Sequence, residues 1–137
     1  MGGKPKSAKR RPEGDKRESA RKRSARAAPR LRIVMGEGLI LGPGKVDLIE
    51  AIQRSGSISA AARNMGMSYR RAWLLVDALN HMFSEPVVLT ASGGTRGGGA
   101  VVTEFGKGVA DAYRRIEERT RSAILEELSP FDRTLRG

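Results

Sequence analysis

At 137 residues the chain is long enough for one ordinary domain with some excess and too short for two large ones. It has no cysteine and a single histidine, His81, which excludes disulfides, Cys/His zinc sites and a cysteine nucleophile, and leaves a Ser-His-Asp arrangement only one available base. The 26 Lys+Arg against 15 Asp+Glu give a formal net charge of +11.

The charge is concentrated at one end. Residues 1–32 carry thirteen basic side chains against three acids, Glu13, Asp15 and Glu18, so the rest of the chain is close to neutral. From Met1 to Arg30 the only apolar side chains are Met1 and a few alanines. Such a segment cannot offset the entropy of ordering, and residues 1–30 are expected to be a disordered basic arm. It has neither the apolar core of a secretory signal nor the amphipathic stripe of a transit peptide. Attraction to a polyanion, most directly nucleic acid phosphate, is its functional reading, and a solubilising extension is the alternative. No run approaches the ~20 apolar residues of a membrane span. With no signal and no cysteine, a cytoplasmic protein without membrane contact is expected.

From Leu31 the pattern changes. Leu31, Ile33, Met35, Leu39 and Leu41 share one parity, which suggests a half-buried strand or strand pair with a bend at Gly36–Gly38. Gly42-Pro43-Gly44 stops it. Gly44-Lys45 does not belong to a phosphate-binding loop, because Leu39 and Val46 occupy the positions where that motif needs Gly and Ser/Thr. A helix over about 44–55 follows, with Val46, Ile49 and Ile52 as its apolar stripe and Gly56 as its stop.

Ser57 or Ser59 is placed to cap a short alanine-rich helix, Gly66 allows a tight turn, and Ser68 is placed to cap a longer helix from Tyr69 to about Phe83. This is the helix-turn-helix order. In the long helix Ala72, Leu75, Val76, Leu79 and Phe83 form the inward face. Advancing about 100° per residue puts Arg70, Leu74, Asp77 and His81 opposite, with Tyr69, Arg71 and Trp73 on the flanks. Ser68, Tyr69, Arg70 and Arg71 thus stand at a helix N-terminus, where free N–H groups favour phosphate and where such motifs reach base edges in the major groove. Arginine there suits guanine and Leu74 a thymine methyl group. Trp73 reads as a packing or scaffold residue, with a base contact as the alternative, and His81 as a surface residue.

Two β-branched runs, 87–90 and 100–103, flank a nine-residue stretch, 91–99, with five glycines and Arg96. They read as a hairpin with a glycine-rich wing, in which Gly94 and Gly97 let the backbone approach phosphates and Arg96 meets a groove. A mobile hairpin tip is the alternative. A last helix, about Glu104 to Leu128, is capped by Thr103 and striped by Phe105, Val109, Tyr113, Ile116, Thr120 and Ala123/Ile124. At ~37 Å it exceeds what a small core covers, which favours burial against a second copy. Ser129-Pro130 ends it, leaving 129–137 as a short tail. The carboxylates alternate with basic residues as on solvated helix faces, and no nucleophile–base pair stands out, so neither an enzyme nor a cofactor or metal is expected.

The segment from about Leu31 to Tyr113 resembles the N-terminal DNA-binding domain of ModE-type, molybdate-responsive transcriptional regulators. The carrying motifs are Ser-Gly-Ser-Ile-Ser-Ala-Ala-Ala (55–62), Met-Ser-Tyr-Arg-Arg-Ala-Trp (67–73) and Gly-Gly-Thr-Arg-Gly-Gly-Gly-Ala-Val-Val-Thr (93–103). The resemblance implies a mainly α fold with small β, a winged helix-turn-helix over 31–128. It also implies a homodimer joined through the first strand and the C-terminal helix, binding palindromic double-stranded DNA. It supports Ser68, Tyr69, Arg70 and Arg71 in the recognition helix and the glycine-rich wing around Arg96; with Ser57, Ser59, Leu74, Gly94 and Gly97 these are the residues expected at the DNA. Full-length members continue into paired oligobinding folds that hold molybdate. Only nine residues follow Leu128 here, so molybdate binding is not expected of these residues. The expected function is a dimeric, sequence-specific transcriptional regulator. The alternatives are a nucleoid-like or RNA-binding protein driven by its arm, and a DNA-binding module working with a separate sensor protein.

Overall fold

The strand pair expected near Leu31 is a short hairpin, as shown by a computed structural model that describes residues 27–91 and 99–136. Most of the basic arm therefore lies outside the described residues, as does the loop tip with Gly94, Arg96 and Gly97. The chain divides into two units, Arg30–Glu117 and a second that combines Met1–Pro29 with Glu118–Gly137. The described residues are mainly helical, with two small antiparallel strand pairs.

In the first unit, β1 (Ile33–Val34) pairs with β2 (Ile40–Leu41), with Ile33 opposite Leu41. The reversal uses Gly36 and Gly38 at φ of +114° and +69°, values that glycine adopts without a side-chain clash. The Met35 N–H donates to the Leu39 carbonyl at 2.7 Å across this turn. Met35, which alternation puts on the inner face, is instead exposed, because the chain has left the ladder there.

Helix α1 (Pro43–Ser55) begins with proline in its first turn, where a missing N–H costs nothing, and buries Val46, Leu48, Ile49, Ala51 and Ile52. The Lys45 ammonium donates to the Ile40 carbonyl at 2.6 Å, so the Gly-Lys pair ties helix to strand. Gly56, at φ 77°, closes the helix through an N–H bond to the Ile52 carbonyl. Helix α2 (Ile58–Met65) packs its buried Ala61 and Ala62 in the core between α1 and α3 (Tyr69–Met82). The hydroxyls of Ser57 and Ser68 cap these two helices, accepting from the Ala60 and Arg71 N–H groups at 3.0 and 3.1 Å. On α3 the buried side chains are Ala72, Val76 and Leu79, with Leu75 and Phe83 half-buried beside them.

Strands β3 (Val88–Thr90) and β4 (Ala100–Val102) pair with Val88 opposite Val102. The Asn80 side chain fixes β3 to α3. Its amide oxygen accepts from the Val87 and Val88 N–H groups at 2.8 and 3.0 Å, and its amide nitrogen donates to the Val88 carbonyl at 2.9 Å. Helix α4 (Glu104–Leu128) follows, with the Thr103 hydroxyl accepting from the Gly106 N–H at 2.9 Å. Its buried residues are Gly106, Ala110 and Tyr113, and the half-buried Phe105 meets Phe83 edge-on at 5.2 Å. Ile116, expected in the stripe, is exposed.

In the second unit the described residues complete α4 and then form a 3-10 helix, Ser129–Thr134. Glu118 and Arg121 pair at 2.8 Å one turn apart on α4. Leu125, Leu128, Phe131 and Leu135 are exposed. No helix among the described residues is long and apolar enough to cross a membrane.

Candidate nucleic-acid interface

The first turns of α3 bring several exposed residues to one end of the helix. Ser68, Arg70, Arg71 and Leu74 line a depression of about 260 Å³ together with Leu75. Leu74 is half-exposed despite being apolar, and Tyr69 beside it is 56% exposed. The capping geometry explains why the backbone points this way. Ser68 is extended at φ −71°, ψ 155°, and the helix starts directly after it.

Electrostatics at this end are one-sided. The first turn of α3 holds no acidic residue, so no side chain of that turn offsets the positive end of its dipole. Arg70 and Arg71 form no ion pair with any described residue. The first turn of α2 is likewise free of acids. Carboxylates gather instead between α1 and α4. There Arg114 meets Asp47 at 2.6 Å, Glu50 at 2.7 Å and Glu117 at 2.8 Å. The Arg114 hydrogen bond holds the Glu50 carboxyl below its ordinary value, against the opposing effect of burial.

Of the residues singled out in sequence, the structure thus brings Ser68, Arg70, Arg71 and Leu74 together, with Tyr69 adjacent. Ser57 and Ser59 belong to the start of α2. Ser57 is committed to its cap, whereas Ser59 is exposed and its hydroxyl has no partner among the described residues. Gly94, Arg96 and Gly97 lie outside the described residues. The root of their loop is fixed, however, with the Ala91 N–H donating to the Gly99 carbonyl and the Ala100 N–H donating to the Gly56 carbonyl, both at 2.9 Å. The hairpin is therefore anchored to the turn between α1 and α2.

One residue escaped the sequence reading. Asn80, which holds the hairpin to α3, has no motif; its position in the last turn of the helix, ahead of Pro86-Val87-Val88, is the only signal. Trp73, expected on a flank of this helix, is 45% exposed. Among the described residues no group of three or more His, Cys, Asp or Glu is placed to hold a metal ion.

No protein-family model matches the chain. The molybdenum-pterin-binding protein MopB of Rhodobacter capsulatus is 45% identical over 98 residues, covering 72% of this chain and 35% of that protein. The molybdenum transport protein ModE of Azotobacter vinelandii is 35% identical over 101 residues, covering 74% of this chain and 37% of its own length. The DNA-binding transcriptional dual regulator ModE of Escherichia coli (strain K12) is 35% identical over 94 residues, covering 69% of this chain and 36% of that protein. The chain thus spans little more than a third of the length of these curated relatives. Over about seven-tenths of its own length it is similar to ModE transcriptional regulators and molybdenum-pterin-binding proteins, a similarity that supports a ModE-like kinship for that stretch.

Proposed function

We propose that the chain is a winged helix-turn-helix transcriptional regulator that binds double-stranded DNA. In this reading α2 and α3 are the helix-turn-helix and α3 is the recognition helix. The β3–β4 hairpin is the wing, with Gly94, Arg96 and Gly97 at its tip. Ser68, Tyr69, Arg70, Arg71 and Leu74 meet the major groove, while Ser57 and Ser59 approach phosphates from the start of α2. Two copies join through β1 and α4 to read an inverted repeat, and the arm of residues 1–30 adds sequence-independent affinity. No chemical step, cofactor or metal is part of this role, and its setting is the cytoplasm. The relatives' names speak of both transcription and molybdenum, which supports a place in molybdenum-dependent gene regulation.

The observation that carries the reading is the Arg70–Arg71 pair, without an ion-pair partner among the described residues, at a helix whose first turn holds no acid, beside the exposed Leu74. It also favours the DNA-binding side of the relatives over the pterin-binding side. An oligobinding barrel needs five strands, and the four strands among the described residues are two or three residues long. Selection of genomic fragments at about physiological salt tests the proposal. An enriched inverted repeat that is lost on Arg70→Ala/Arg71→Ala is the expected result. Enrichment by length or composition alone would replace it with a nucleoid-like protein driven by its arm.

A further inference from the structure

Trp73 and Asn80 lie seven residues apart on α3, close to two full turns, and therefore share one edge of the helix. Asn80 identifies that edge as the one facing the hairpin, because its amide is bonded to Val87 and Val88. Trp73 stands on the same edge about 10 Å nearer the N-terminus. That is the end of α3 where Arg70 and Arg71 are exposed and unpaired by any described acid.

The indole is unusual for the largest apolar side chain in a small domain. It is 45% exposed, makes no ring contact with another described aromatic residue and uses its N–H in no hydrogen bond among the described residues. Tryptophan left in this state forgoes both its burial and its polar handle. The indole N–H only donates, so whatever completes it must accept. One turn along α3 from Arg70, which forms no ion pair with a described residue, the acceptor that matches the surrounding charge is an anionic oxygen.

We propose that Trp73 is a DNA-contacting residue, its indole N–H donating to a backbone phosphate of a strand that runs along this edge of α3, with the ring against the adjoining deoxyribose. The inference rests on the DNA-binding reading above and extends it to Trp73, the last residue of the 67–73 motif. The contact fixes the register of α3 on the duplex without reading a base. Because the donor is neutral, it also adds affinity without adding to the number of phosphates neutralised by charge.

That last property separates Trp73 from its arginine neighbours. The chain has one tryptophan, so its emission reports on this site alone. The probe is a duplex recovered by the selection described above. If selection enriches no sequence, a mixed-sequence duplex of the same length serves, because phosphates are common to both. Two results are expected. Saturating duplex shields the indole of the unmodified chain from acrylamide quenching. Trp73→Phe, which keeps a ring and loses the donor, binds roughly tenfold or more weakly, as for a hydrogen bond to a charged group. Its salt dependence is unchanged, whereas Arg71→Ala lowers the slope by about one. An indole equally accessible with and without saturating duplex, or a Trp73→Phe chain that binds as tightly as the original, overturns the inference. Failure of sequence selection with shielding still present overturns the regulator reading and leaves the Trp73 contact standing.

Discussion

The Tyr113 hydroxyl donates a 2.7 Å hydrogen bond to the Leu31 carbonyl, joining α4 to the residue that leads into β1. Tyr113 is fully buried, and burial, the largest influence on it, raises its pKa above the ordinary phenol value, so the group stays protonated and donating. This bond fastens the first hairpin onto α4 across 82 positions of sequence. Tyr113→Phe keeps the ring packing and removes the donor. A loss of about 1–2 kcal/mol is expected. Urea unfolding should show a lower midpoint with an unchanged slope.

Arg114 serves three carboxylates at once, and its own pKa is pushed further up by them, chiefly by the Glu50 hydrogen bond. Glu50 is held below the usual 4.5, so the folded chain binds fewer protons there than the unfolded chain. Its contribution to stability is complete above that pH and is lost as the pH falls through the depressed value. Replacing Arg114 with Met leaves Asp47, Glu50 and Glu117 facing one another without their cation. With Arg114 one-third exposed, the cost at neutral pH is about 1–2 kcal/mol. Thermal melts of the two chains from pH 7 to pH 3 should converge as the carboxylates take up protons. A constant gap would mean that Arg114 contributes through packing alone.

Gly106 and Gly108 occupy the same helix and demand opposite outcomes. A Cβ on Gly106 would collide with the Val87 carbonyl oxygen and press on the Val87 and Val102 methyl groups at 3.0 Å, whereas one on Gly108 meets nothing within 4 Å. Alanine is favoured over glycine within a helix by about 1 kcal/mol. Gly108→Ala should therefore raise the melting temperature by a few degrees. Gly106→Ala should lower stability by about 2–3 kcal/mol, because α4 must withdraw from β3 and the core opens. Differential scanning calorimetry on the pair decides both.

Helices were far more legible than what joins them. The spacing of Val46, Ile49 and Ile52, and of Ala72, Val76 and Leu79, follows directly from which face of a 3.6-residue period must be dry. The serine caps and the left-handed Gly56 and Gly66 are equally local. In α4 the same logic found Tyr113 but favoured large side chains and missed Gly106 and Ala110, the small residues buried on the same helix, of which Gly106 lies against Val87 and Val102. Asn80 was hidden for a different reason. A polar residue that satisfies a strand edge carries no periodic signal, since it is defined by its partners Val87 and Val88 beyond the end of its helix.

Three serines near the proposed interface separate capping from contact. Ser57 and Ser68 accept from the Ala60 and Arg71 N–H groups, while the Ser59 hydroxyl is bonded to no described residue. Alanine at either cap frees a backbone donor at a helix start and should cost about 1 kcal/mol. Ser68→Ala also loosens the turn that carries Arg70 and Arg71, so under the proposed function its duplex affinity is expected to fall along with its stability. Ser59→Ala should melt with the original chain and lose only a severalfold share of duplex affinity. That pattern follows from a lone hydroxyl donating to a phosphate. Melting curves and duplex titrations on the three single variants give the comparison. A Ser59→Ala chain that is as destabilised as the two cap variants would assign Ser59 to the fold and remove it from the interface.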